Sequence, residues 1–78
     1  MLSVEFTVEP FVEGRPGPHV TEAVAAVEKH GITVDFGPFG TMFTVAPGDL
    51  GRVVGDLMNA AYANGATVVN VTVSKESA

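Results

Sequence analysis

The apolar residues of this chain change their spacing along its length, and the order of the changes restricts the fold more than any other feature. From Leu2 to Glu9 the alternation is strict. Leu2, Val4, Phe6 and Val8 fall on one side, with Ser3, Glu5, Thr7 and Glu9 on the other. A period of two with one polar face describes a half-buried strand. Pro10 has no N–H to donate and ends regular pairing. The stretch from Phe11 to Pro18, punctuated by Gly14, Pro16, Gly17 and Pro18, reads as a loop. Val20, Ala23, Val24 and Val27 then recur at helical spacing, which predicts a helix over roughly His19 to His30. Pro18 suits its first turn, Lys29 and His30 suit its negative end, and Gly31 supplies a left-handed cap.

The period then returns to two. Ile32, Val34 and Phe36 alternate with Thr33, Asp35 and Gly37, and the Gly37-Pro38-Phe39-Gly40 turn leads into a third strand over Thr41 to Ala46. There Thr41, Phe43 and Val45 form the more buried set, with Met42 and Thr44 toward the other face. Pro47-Gly48-Asp49 opens a second helix with a stripe of Leu50, Val53, Val54, Leu57, Met58 and Ala61. Gly51 and Gly55 in that helix are either a close-approach surface or tolerated surface glycines. Asn64-Gly65 stops the helix. Thr67, Val69, Val71 and Val73 alternate with Val68, Asn70, Thr72 and Ser74 as a final strand, with residues 75–78 expected to fray.

The order is therefore β-α-β-β-α-β, an α+β chain on the ferredoxin-like plan. Right-handed crossovers put both helices on one face of a four-stranded antiparallel sheet, in strand order 4-1-3-2. Glu5 and Thr7 then lie in the middle of the face that no helix covers. At 78 residues, the reading is a single domain over residues 1–78, of a size that gains from self-association.

Composition narrows the chemistry. The absence of cysteine excludes thiolate catalysis, disulfides and iron–sulfur clusters. Nine carboxylates against four Lys and Arg residues leave a formal net charge of −5, which repels phosphate. Nucleic acid and anionic membranes are therefore poor partners, and a neutral or cationic small molecule suits this field better. The opening residues carry no basic, apolar leader, and no apolar run approaches a membrane span, so the expected location is the cytoplasm.

No catalytic or metal constellation stands out. His19 and His30 share a helix face but sit about 16 Å apart at 1.5 Å per residue, too far to hold one ion. They read as solvated or capping histidines. Gly14-Arg15-Pro16-Gly17 matches no phosphate-binding pattern, and two prolines, Pro16 and Pro18, remove two of the N–H donors that such a cradle needs. Glu5 and Glu9 are about 13 Å apart along a strand, beyond the spacing of a paired-carboxylate catalyst. Ser3, Ser74 and Ser77 lack a nucleophile elbow. The expectation is a protein that is not an enzyme, with no catalytic residues, no metal and no cofactor.

Three segments in order resemble the small YkoF-like thiamine-binding proteins: Val4-Glu5-Phe6-Thr7-Val8-Glu9-Pro10, Glu28-Lys29-His30-Gly31-Ile32, and Gly37-Pro38-Phe39-Gly40-Thr41. The likeness runs from Val4 to Val73. It departs in Phe39, where the family usually has methionine, in Thr44, where an acidic residue is common, and in Val68, where an arginine is usual. The resemblance implies a cytoplasmic, non-enzymatic binder of thiamine or its hydroxymethylpyrimidine half. It also implies assembly into homodimers or homotetramers through the sheets. Thr7 and the Phe39-Gly40-Thr41 turn match ligand-contacting segments, and Thr44 is the strand-three position. A thiazolium cation is favoured near Glu5, Glu9 or Asp35 and against an aromatic such as Phe39. Threonine hydroxyls can meet the donors and acceptors of an aminopyrimidine. The alternative is a structural or regulatory domain that pairs through its open sheet face and holds no ligand.

Overall fold

The computed structural model describes residues 1–10, 17–37 and 40–76. Residues 11–16, where a loop is expected, and Pro38 and Phe39 of the expected turn lie outside the described residues, as do Ser77 and Ala78. The elements follow the expected order: β1 (Leu2–Glu9), α1 (Pro18–Glu28), β2 (Asp35–Phe36), β3 (Thr41–Val45), α2 (Leu50–Ala63) and β4 (Val68–Lys75). A turn of 3₁₀ helix over Pro47–Asp49 leads into α2. The strands form one sheet ordered β2-β3-β1-β4, every neighbouring pair antiparallel. This is the ferredoxin-like arrangement that the change of period implies.

β1 is the axis of the sheet. On one side it pairs with β3, Leu2 opposite Val45 through Phe6 opposite Thr41. On the other it pairs along its full length with β4, Leu2 opposite Lys75 through Glu9 opposite Val68. Because side chains alternate across a strand, this register puts Val4, Phe6 and Val8 on the same face as Thr41, Phe43 and Val45. Both helices cover that face. The core joins those strand residues to Ala23, Val24 and Val27 of α1 and to Val53, Leu57 and Ala61 of α2. Phe6 and Phe43 meet edge to face with ring centroids 6.1 Å apart. Each large side chain buried there contributes about 1.5–3 kcal/mol relative to exposure.

Gly31 adopts φ +77°, the left-handed conformation that stops α1 without a Cβ clash, as its place after Lys29 and His30 predicts. Gly51 and Gly55 face open space, so they are surface glycines and not a close-approach seam.

Four local expectations change. Only Asp35 and Phe36 of the second strand enter the ladder; Ile32 and Val34 pack on the core from outside it. Phe36, which alternation assigns to the buried set, is 62% exposed. It lies opposite Thr41 at the sheet's outer edge. His19 is neither solvated nor an end cap: it is buried, and its ring Nε2 stands 2.7 Å from the Pro10 carbonyl oxygen. This bond ties the first turn of α1 to the end of β1. Lys75, expected in a frayed tail, is the last paired residue of β4.

Candidate functional site

The register that fills the core also decides what the other face carries. β1 contributes Ser3, Glu5, Thr7 and Glu9; β3 contributes Met42 and Thr44; β4 contributes Val68, Asn70, Thr72 and Ser74; and Asp35 of β2 completes it. One row across the sheet runs Asp35, Met42, Glu5, Thr72. Thr7 stands opposite Asn70, and Glu9 opposite Val68. Glu5, Thr44 and Thr72 are exposed, and Thr7 is half-buried.

Gly40 shapes the middle of this face. It is half-buried, and its carbonyl accepts a 2.8 Å hydrogen bond from the Gly37 N–H, which draws together the two ends of the β2–β3 turn. A Cβ on Gly40 would come 3.2 Å from Glu5 Cγ and 3.5 Å from Glu5 Cδ. The missing side chain is therefore where Glu5 lies, and the carboxylate rests beside the turn. Any larger residue at position 40 would displace it.

The carboxylates differ in how they are held. Glu9 accepts from the Asn70 side-chain amide at 3.4 Å, and its carbonyl oxygen accepts from the Thr67 N–H at 2.8 Å and the Thr67 hydroxyl at 3.3 Å. Glu5 and Asp35 have no hydrogen-bonding or ion-pairing side chain among the described residues. Nor does any described base lie beside them: Lys29 follows α1, Arg52 is on α2, and Lys75 lies opposite Leu2 on the helix-covered side. Among the described residues, the open face is thus acidic without a compensating cation.

Of the residues singled out in the sequence, Glu5, Thr7, Glu9, Gly40 and Thr44 come together on this face. Thr41 does not. It is buried opposite Phe6, on the side of the core, so its hydroxyl is turned away from Thr7. Phe39 lies outside the described residues. Asn70 and Thr72 belong beside Glu9 and Glu5. Their alternation with Val69 and Val71 assigns them to the open face, but only the structure shows that Asn70 donates to Glu9 and that Thr72 stands opposite Glu5.

A cleft of about 270 Å³ opens at the far end of the sheet on the helix side, with Met1, Ile32, Val45 and Val53 in its lining. Its charged residues are engaged locally. Arg52 pairs with Asp49, and His30, at the end of α1, stands 2.7 Å from Asp56 of α2. No group of three or more metal-ligating side chains occurs among the described residues. Nor is any described helix long and apolar enough to cross a membrane.

The fold and the polar open sheet define a small α+β domain built to present one face. The chain belongs to the thiamine-binding protein family, whose model matches residues 4–76. The family gives it the role of a small binding protein, in agreement with the resemblance carried by the three sequence segments. Among solved structures, it is similar to protein SP2199 of Streptococcus pneumoniae, at 18% identity and a TM-score of 0.75, over 97% of this chain and 87% of that one. It is also similar to a DUF77 domain of unknown function from Bacillus cereus, at 22% identity and a TM-score of 0.66, over 94% of this chain and 71% of that one. At these identities the likeness is one of fold. No curated protein matches the sequence.

Proposed function

We propose that this chain binds thiamine, or its hydroxymethylpyrimidine half, on the open sheet face around Glu5, Thr7 and Gly40, and does so without chemical turnover. Its membership of the thiamine-binding protein family over residues 4–76 is the observation that carries the reading. The chemistry of the face supports it. An aminopyrimidine needs a few well-placed donors and acceptors, and Thr7, Asn70 and Thr72 provide hydroxyl and amide groups in adjoining rows. A thiazolium is a fixed cation, and Glu5 and Asp35 are carboxylates without a neighbouring base among the described residues.

An open sheet is a shallow surface, whereas small ligands are held in clefts that cover most of their area. The proposed working form is therefore a cytoplasmic homodimer or homotetramer in which another copy closes the face over the ligand. Met42 and Val68, 41% and 43% exposed on this otherwise polar face, supply apolar area for such a contact. Titration calorimetry with thiamine and with hydroxymethylpyrimidine tests the binding: saturable heat with at least one is expected. Absence of heat and of any thermal shift at millimolar ligand would reject it. Light scattering across a range of concentrations tests the assembly, and a monomer throughout would leave the face unclosed.

A further inference from the structure

We infer that the open face selects its ligand by charge, taking thiamine as the unphosphorylated monocation and excluding its phosphate esters, with Glu5 as the residue that sets the discrimination. This rests on the binding reading given above. Three observations carry it. First, Glu5 and Asp35 lie in one row of the sheet, on either side of Met42, at about 10 Å from strand to strand. Second, neither has a hydrogen-bonding or ion-pairing side chain among the described residues, whereas Asp49 and Asp56 on the helix side are both paired. Third, the described bases lie elsewhere: Lys29 and Arg52 with the helices, Lys75 on the helix-covered side of β4.

Phosphate recognition uses arginine, lysine or a helix N-terminus, and the described part of this face has none of them. A diphosphate ester turns the thiamine monocation into a net anion. Bound here, its phosphates would face the same carboxylates that attract the thiazolium. Gly40 makes Glu5 the decisive one, because the absent side chain leaves room for the Glu5 carboxylate to lie against the start of β3, where a Cβ would come 3.2 Å from its Cγ.

The test is calorimetry on the full chain and on Glu5→Gln, with thiamine, thiamine diphosphate and hydroxymethylpyrimidine, each at low and high salt. The substitution keeps the size of an exposed side chain, and circular dichroism checks the fold. At low salt the wild-type chain is expected to bind thiamine at least about tenfold more tightly than the diphosphate, and the gap is expected to shrink as salt screens the face. In Glu5→Gln the gap between thiamine and its diphosphate should fall by about threefold or more. Equal affinity for thiamine and its diphosphate in the wild type would overturn the inference and leave the binding reading standing. So would an unchanged ratio in Glu5→Gln. No binding of any of the three would overturn both.

Discussion

The two faces of β1 share a backbone and do opposite things. Val4, Phe6 and Val8 point into the helix layer and are almost wholly enclosed. Glu5 and Glu9, one residue away from them, are exposed, and Ser3 and Thr7 are only half-buried. On the enclosed side, packing fixes each residue, and a change there is felt as lost stability. On the open side Glu5 and Thr7 make no side-chain hydrogen bond or ion pair among the described residues, so what they do is sought in something the face meets. The contrast separates the part of the sequence that makes the domain from the part available for a ligand.

Substitutions on either side test that separation. The largest effect is expected in the core: Leu57→Ala removes a side chain with no exposed surface and should cost about 2–5 kcal/mol, read as a drop in the urea midpoint. Next comes His19→Ala, which leaves the Pro10 carbonyl without its partner and opens space beneath the start of α1. A loss of about 1–3 kcal/mol is expected by the same measurement. Gly31→Ala forces a Cβ into the left-handed region at φ +77° and should cost about 1–2 kcal/mol. Smallest in stability are the open-face changes. Glu5→Gln and Thr44→Lys should each shift unfolding by less than about 0.5 kcal/mol while weakening thiamine binding. A large stability loss from either would break the distinction between the faces, because it would make the open side structural as well.

Much of this division is legible in the sequence, and what is not has physical causes. Strict alternation from Leu2 to Glu9 places β1 residue for residue, because a strand with one wet face leaves no ambiguity of period. The stripe in α2 is read equally well. β2 is read too long: Ile32 and Val34 alternate like a strand, but they pack on the core without joining the ladder, and periodicity reports burial and not pairing. Phe36 is misread for a related reason, since a residue can face the helix side and still be exposed where the sheet extends past the helices. His19 is held by a carbonyl nine residues away, a contact that no local pattern encodes. For the site, alternation set Thr41 among the buried residues while the family resemblance placed it with the ligand contacts. The structure follows the alternation. Glu5 and Gly40 were each visible as single residues, but that the one lies over the other depends on the β1–β3 pairing.

Methyl resonances provide the most direct test of the open face as the ligand site, because each reports on one side of the sheet. On titration with thiamine, the methyls of Thr7, Met42 and Thr72 are expected to shift, while those of Val4, Leu57 and Ala61 in the core stay in place. Shifts centred on Ile32 and Val45 at the helix-side cleft, with Thr7 and Thr72 unmoved, would contradict it.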